Sequence, residues 1–183
     1  DGANEMNGLA RMTLRRAQAQ WRELDEHLAW CDERLAAHEQ ENPEVRRAGQ
    51  LMGIGPVGAS AAVATVGDFK QFKSGAQFGA WLGLVPKQHS SGGKPHLGTI
   101  TKRGDAYLRT LLIQGAKSVV NTAHTRSDPI SRWVLALKER SGWQKAVVAL
   151  ANKNARILWA VMTRGERFDP HHISIKPGAA IPS

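Results

Sequence analysis

The sequence predicts an all-α protein, in which a long N-terminal coiled-coil helix precedes a compact helical domain with a helix-hairpin-helix and a long Gly/Ser loop. Apolar residues recur at helical spacing through most of the chain, and capping residues, prolines and glycines bound the predicted helices. One central stretch shows neither helical nor strand periodicity and predicts the loop. We expect residues 1–43 to form the coiled coil, residues 44–166 the helical domain, and residues 167–183 an extended or disordered tail.

Residues 9–41 are predicted to form one helix with an apolar seam. The seam positions follow each other at alternating steps of three and four residues, as in a coiled coil. Asn42 and Pro43 end the helix, because proline cannot continue it. The seam predicts a homodimer or higher homo-oligomer, and the alternative is a helix packed back on its own domain. The residues assigned to oligomerisation are Leu14, Trp21, Leu24, Leu28 and Leu35, with Ala17 and Cys31 as weaker seam positions.

A helix-hairpin-helix is predicted at about residues 45–67. Gly53 and Gly55 permit a tight turn between a short helix and a helix of small residues, and Pro56 suits the first position of the second helix. The backbone N–H groups after the turn can receive a phosphate, so Gly53 and Gly55 are candidate nucleic-acid-binding residues. A purely structural pair of helices would use the same glycines.

Four further helices are predicted in the helical domain. Ser74, Asp105 and Asp128 can cap three of them, because their side-chain oxygens accept hydrogen bonds from the first turn. The predicted ranges are about 74–82, 106–123, 129–140 and 143–164. Arg109 lies on the second of these helices and is a further candidate for contact with a phosphate.

The loop between Val85 and Asp105 is about twenty residues long, and loops of this length in compact domains are usually functional or disordered. Ser90 and Ser91 precede two glycines, whose backbone N–H groups can approach an anion closely. The surrounding basic residues are Lys87, Lys94, Lys102 and Arg103, with His89 and His96 nearby. The pattern predicts a phosphate-binding loop whose serine could attack a phosphodiester. The alternative is a Gly/Ser surface loop on a basic protein.

The charge of the chain predicts a polyanionic partner, either nucleic acid or an acidic membrane surface. The chain has 25 Lys and Arg against 16 Asp and Glu, a net charge of +9 and an isoelectric point near 10.2. Residues 1–42 contain more acidic than basic side chains, so the basic excess belongs to residues 43–183.

The chain has a single cysteine, Cys31, which excludes an internal disulfide and fits a reducing, cytoplasmic compartment. No apolar run approaches the ~20 residues of a membrane span, and no signal peptide opens the sequence. The first residue is not Met, so we expect a piece of a longer polypeptide. We predict no metal site, because His171 and His172 have no third ligand nearby.

Six motifs follow one another along the chain: Leu51–Pro56, Gly67–Phe69, Phe78–Pro86, Ser90–Lys94, Leu97–Asp105 and Tyr107–Arg109. Together they resemble the C-terminal transposase domain of the DEDD-type serine-containing insertion-sequence transposases. That family is also described as bridge-RNA-guided recombinases and is related to the Piv invertase. The resemblance covers roughly residues 14–162, and the first helix is similar to the family's coiled-coil linker.

The resemblance implies that the chain supplies a nucleophilic serine for DNA recombination. We assign this role to Ser91, with Ser90 as the second choice. The serine would attack a DNA phosphodiester and form a phosphoserine intermediate for strand exchange. Lys94, Lys102 and Arg103 would stabilise the transition state and hold the DNA backbone.

The resemblance also implies partners beyond this chain. In the family, an N-terminal RuvC-like domain binds divalent metal, Mg²⁺, through an Asp/Glu/Asp/Asp tetrad, and a guide (bridge) RNA takes part. No segment of this chain is a candidate for that domain, so we expect no cofactor here and an inactive isolated chain.

Two other functions fit parts of the sequence. One is a non-catalytic helix-hairpin-helix module that binds nucleic acid and dimerises. The other is a serine hydrolase that pairs Ser91 with His89 or His96. It is disfavoured because the chain has no Gly-x-Ser-x-Gly elbow and no obvious acid to orient either histidine.

Overall fold

The computed structural model describes residues 7–88 and 97–170, and it confirms the all-α prediction. These two ranges contain seven α-helices, two short 3-10 turns and one two-stranded hairpin. The helices are α1 (Gly8–Glu41), α2 (Pro43–Gly49), α3 (Pro56–Val66), α4 (Gly75–Trp81), α5 (Ala106–Thr122), α6 (Pro129–Ser141) and α7 (Trp143–Arg164). The strands β1 (Pro86–Gln88) and β2 (Leu97–Ile100) lie between α4 and α5, and the 3-10 turns are Phe69–Gln71 and Ala123–Thr125.

The predicted capping residues begin the helices to which they were assigned. Ser74 Oγ accepts from the Gln77 N–H at the start of α4. Asp105 Oδ1 accepts from the Leu108 N–H at 2.7 Å at the start of α5. Asp128 accepts from both the N–H and the hydroxyl of Ser131. Burial opposes ionisation of Asp128, but these hydrogen bonds outweigh it and lower the pKa of the carboxyl group below its usual value.

Helix α7 lies at the centre of the helical domain and packs against α2, α4, α5 and α6. Its inner face is apolar, with Leu150 and Leu158 almost completely buried. Asn154 is the exception, because it is 2% exposed and polar. Its Nδ2 donates to the Met52 carbonyl at 2.8 Å, which satisfies the buried amide and ties α7 to the turn between α2 and α3.

The turn between α2 and α3 also touches the backbone of α5. A Cβ atom at Gly115 would overlap the carbonyl oxygen of Gly53, and a Cβ at Gly53 would come within 2.7 Å of the Gly115 carbonyl oxygen. Gly53 has a φ of +83°, which side chains other than glycine rarely adopt. Gly53 therefore has a packing role in the fold.

Helix α1 contains 34 residues and is about 51 Å long. None of its residues is buried. It contacts α2 and α3, and Leu35, Ala37 and Glu39 in its last turns are half-buried. Arg46 in α2 donates to the Gln40 carbonyl at 2.6 Å and fixes this end of α1. Asn42 ends α1 and caps α2, as its side chain accepts from the N–H groups of Glu44 and Val45.

The prediction of one continuous loop between Val85 and Asp105 is wrong in part. Strands β1 and β2 pair antiparallel, with Pro86 opposite Ile100 and Gln88 opposite Leu97. The paired residues are two positions apart in β1 and three positions apart in β2, so the pairing contains an irregularity typical of a β-bulge. Strands of three and four residues are too short to show the alternation by which strands are recognised in a sequence.

Beyond α7 the structure describes a short non-helical stretch. Phe168 packs against the core, and its backbone N–H donates to Gln50 Oε1 at 3.2 Å. Residues 171–183 of the predicted tail lie outside the described residues. Within the described ranges, no helix is long and apolar enough to cross a membrane.

The contact between Gly53 and Gly115 predicts different effects for two similar substitutions. Gly115→Ala should lower the free energy of unfolding by about 2 kcal/mol or more, because the new methyl group overlaps a backbone carbonyl. Gly58→Ala is the control, since its Cβ would lie 3.5 Å from Ile54, an ordinary contact. It should be neutral or stabilise by up to about 1 kcal/mol. Urea denaturation measures both, and equal stability of the two variants would contradict the packing assignment.

Candidate nucleic-acid interface

The predicted serine loop begins and ends at the paired strands. Gln88 and Leu97 are partners across the hairpin, so the chain leaves and re-enters the described structure at neighbouring positions. Ser90, Ser91 and Lys94 lie outside the described residues, as do His89 and His96. What the structure defines is therefore the base of the hairpin and its support.

The hairpin base is fixed to the C-terminal end of α4 by residues 81–84 and 101–104, which we call the platform. The Thr101 N–H donates to the Val85 carbonyl at 2.9 Å, and the Lys102 N–H donates to the Gly83 carbonyl at 3.1 Å. Gly104 has a φ of +124°, and a Cβ at this position would overlap the Trp81 carbonyl oxygen. The two segments consequently meet backbone to backbone.

Helix α7 holds the platform from the other side. Asn152 Nδ2 donates to the Leu84 carbonyl at 3.1 Å, and Leu84 is 2% exposed. A hydrogen bond to a buried carbonyl satisfies a group that would otherwise be costly to bury. The base of the hairpin is thus attached to the core of the protein.

Three of the predicted cationic residues belong to the base or to the platform. Lys87, Lys102 and Arg103 are all exposed. Lys87 lies opposite Gly98, where an added Cβ would be 3.7 Å from the Lys87 Cβ. Lys102 has a φ of +55°, a left-handed backbone conformation that is uncommon for residues other than glycine. The platform hydrogen bond from its N–H helps to hold this conformation, so the backbone fixes the point from which the Lys102 side chain leaves the platform.

Arg109 has a different environment from these three residues. It is half-buried, and its guanidinium donates to the Leu82 carbonyl at 3.1 Å and to the Asp105 carbonyl at 3.4 Å. The first bond closes the C-terminal end of α4, where carbonyl groups lack helical partners. These hydrogen bonds support a structural role for Arg109, which holds the platform at Leu82.

Gly53 and Gly55, the other predicted phosphate contacts, differ in environment. Gly53 packs on α5, as described above. Gly55 is exposed at the N-cap of α3, and a Cβ there would have no neighbour within 4 Å. Of the two glycines, Gly55 is therefore the one with open space around it for a ligand.

Sequence reasoning did not single out Tyr107 as a functional residue. It is 58% exposed in the first turn of α5, next to the buried Leu108 and a few residues beyond Arg103. An exposed aromatic ring so close in sequence to Lys102 and Arg103 is suited to stack against a base. The sequence could have indicated this exposure. Neighbouring residues of a helix face different directions, so Tyr107 cannot face the core together with Leu108.

The apolar seam of α1 is open in the single chain. Exposed fractions are 54% for Leu14, 69% for Trp21, 61% for Leu24 and 63% for Leu28. Leu35 is half-buried, at the end of α1 that contacts the body. Exposed apolar surface of this extent on one helix is typical of an interaction site.

The ranges that the structure describes bring together no group of three or more His, Cys, Asp or Glu side chains that could hold a metal ion.

Comparison with known proteins shows that this sequence is similar to transposases. Residues 45–130 match the family model described as "Transposase IS116/IS110/IS902 family". The chain is 46% identical over 157 residues to a Pseudomonas aeruginosa protein named "Probable family 20 transposase", with 86% of this chain and 46% of that protein covered. It is 42% identical over 169 residues to the transposase for insertion sequence element IS1111A of Coxiella burnetii, with 91% and 46% covered. The chain spans about half the length of these curated relatives.

The environment of Arg109 predicts that its removal affects stability. Arg109→Ala should lower the free energy of unfolding by about 1 to 2 kcal/mol, because it leaves the Leu82 carbonyl without its donor. Arg103→Ala, at an exposed arginine nearby, should change it by less than about 0.5 kcal/mol. Thermal or urea unfolding at fixed salt gives both values. A larger loss for Arg103→Ala than for Arg109→Ala would contradict the assignment.

Proposed function

We propose that this chain is the part of a transposase that supplies the serine nucleophile and binds the DNA backbone. The chain belongs to the IS116/IS110/IS902 transposase family, whose model it matches at residues 45–130. The observation that supports this proposal most is the hairpin base on its platform. Paired strands place Gln88 opposite Leu97, the two residues between which the Ser90–Lys94 motif lies in sequence, and three exposed cations, Lys87, Lys102 and Arg103, belong to β1 or the platform. Catalytic side chains are commonly carried by loops that a rigid scaffold positions.

The proposed reaction is a transesterification at a DNA phosphodiester. Ser91 Oγ attacks the phosphorus atom, a P–O bond to deoxyribose breaks, and the departing sugar hydroxyl receives a proton. The phosphoserine ester that forms conserves the bond energy for rejoining. A hydroxyl group of the new DNA partner then attacks the same phosphorus and releases Ser91. One phosphoester bond is made for each one broken, so strand exchange needs no further reactant.

The cations act on the charge of the phosphate in this reaction. Negative charge increases on the phosphoryl oxygens as the serine attacks, and Lys94, Lys102 and Arg103 are assigned to stabilise it. A serine hydroxyl needs a base or a metal for activation. We assign this activation to groups outside the described residues. In the longer protein these would be the metal-binding carboxylates that the resemblance implies, with a guide RNA directing the DNA target.

Self-association through α1 completes the proposal. The seam of α1 leaves Leu14, Trp21, Leu24 and Leu28 more than half exposed, which costs free energy in a monomer. A second copy of α1 would cover these side chains in a coiled coil. Recombination joins two DNA segments, so an oligomer could present one serine to each segment.

The serine proposal predicts a covalent adduct. The full-length transposase that contains this sequence should form a protein–DNA band with labelled target DNA on denaturing electrophoresis. Ser91→Ala should abolish the band, because its Oγ forms the ester bond. Ser90→Ala is the matched control and should retain it.

Loss of the adduct in Ser90→Ala but not in Ser91→Ala would identify Ser90 as the nucleophile. No adduct in any serine-containing form, together with retained salt-dependent DNA binding, would favour the non-catalytic helix-hairpin-helix module and contradict the proposal.

The α1 proposal predicts a change in mass in solution. The unmodified chain should sediment as a dimer or larger species, and Leu24→Asp/Leu28→Asp should shift it to the monomer, because the seam would bury charge. Ala19→Asp/Ala29→Asp adds the same charge to α1 away from the seam and should leave the assembly intact. A monomer for the unmodified chain would contradict the oligomer.

A further inference from the structure

We propose that a groove along α7 binds a single-stranded segment of nucleic acid. The groove has a volume of about 760 Å³ and lies between α7, the first residues of α4 and α6, and residues 166–169. None of its residues belongs to the hairpin or the platform, so it would add a second binding site to the proposed function.

One face of α7 forms the long wall of the groove. Lys153, Arg156, Ile157, Ala160 and Arg164 line it, and they follow each other at steps of three, one, three and four residues. This spacing places them on one side of the helix. The basic positions from Lys153 to Arg164 extend over about 16 Å of helix axis, long enough to contact several phosphates of an extended strand. The wall thus has basic ends and an apolar middle.

The charge of the groove favours a polyanion. Four cations line it, Lys153, Arg156, Arg164 and Arg167, against two acidic residues, Glu166 and Asp169. The three arginines are exposed, and their planar guanidinium groups suit bidentate contact with phosphate oxygens. Charge complementarity therefore selects nucleic acid over a neutral or purely apolar ligand.

An exposed aromatic ring lies among these cations. Trp133 lines the groove, is 38% exposed, and has the Lys153 Nζ 5.0 Å from its ring centroid. A base that stacked on this indole in place of the Lys153 ammonium would bring its own phosphate near that ammonium. The other tryptophan in the groove has a structural role, because Trp159 Nε1 donates to the carbonyls of Phe69 and Phe72. Trp133 is the stacking residue of the proposed site.

The combination of an apolar middle and a basic rim favours unpaired bases over a duplex. A duplex presents phosphates outward and keeps its bases stacked inside, so it would not fill the apolar part around Ile157 and Ala160. A single strand can place bases there and on Trp133 while its phosphates contact the arginines. DNA and RNA share this chemistry.

The position of the groove relates it to the hairpin. Asn152, which bonds the platform at Leu84, immediately precedes Lys153 on α7. At the other end of α4, a Cβ at Gly75 would come within 2.9 Å of the Arg156 carbonyl oxygen, so α4 and α7 pack directly here. A strand held at the hairpin base could therefore continue along α7 into the groove.

Fluorescence anisotropy of this chain tests the site with labelled oligo-dT and oligo-U of about 12 nucleotides and a duplex of equal length. Arg156→Gln/Arg164→Gln should weaken single-strand binding about tenfold or more and reduce the salt slope by about 1.4, the effect of two lost phosphate contacts. Lys138→Gln/Arg140→Gln removes the same charge from exposed positions of α6 outside the groove and should change affinity little. Circular dichroism checks that all variants remain helical.

Trp133→Leu should weaken single-strand binding about tenfold with an unchanged salt slope, because stacking rather than charge is lost. A strand containing 4-thiouridine should cross-link to the peptide that contains Trp133. Binding of oligo-dT and oligo-U supports the site, and a preference between them identifies the nucleic acid that it holds.

A further pair of variants separates the groove from the proposed function. If Lys87→Gln/Arg103→Gln weakens binding of single strands and the groove variants do not, the groove inference is overturned while the serine proposal stands. Tighter binding of duplex than of single strands at the groove would overturn it as well. So would a change in sedimentation of the groove variants with unchanged oligonucleotide affinity, because the groove would then hold a second copy of the chain.

Discussion

The structure depends on hydrogen bonds from side chains of one central helix to backbone carbonyls in the connections around it. Asn152 holds the platform at Leu84, Asn154 holds the turn between α2 and α3 at Met52, and Trp159 holds the 3-10 turn at Phe69 and Phe72. Each bond satisfies groups that are removed from water, so displacement of α7 would leave several polar groups unpaired at once. The apolar face of α7 packs in the core, and these three side chains fix the positions of the connections around the helix.

This arrangement gives the candidate DNA-contacting residues a fixed support. Lys102 and Arg103 have exposed side chains, but their backbone meets the Trp81–Leu84 turn directly, at a position where Gly104 has no room for a side chain. Charged groups held by a rigid backbone lose less conformational freedom when a phosphate binds. The hairpin base and the groove both border α7, so one helix could align a strand with the serine motif.

Much of the fold could be predicted from the sequence because local signals mark the helix ends. Ser74, Asp105, Asp128 and Pro56 all begin helices as expected. The large seam residues of α1 from Leu14 to Leu28 are exposed, but so are Met12 and Trp30, which lie outside the predicted seam. The hairpin was missed because its strands are too short for periodicity. The Arg109 bond to Leu82 joins residues 27 positions apart, and the groove collects residues from three helices. Such long-range features follow from packing, which no local pattern records.

In the proposed reaction, one serine hydroxyl from the sequence between β1 and β2 becomes esterified to DNA. The most direct measurement is mass spectrometry of the peptide spanning residues 88–102, isolated after nuclease and protease digestion of the trapped complex between full-length protein and DNA. We expect a nucleotide-derived phosphoryl group on Ser91. A phosphoryl group on a residue outside the Ser90–Lys94 motif would contradict this reaction.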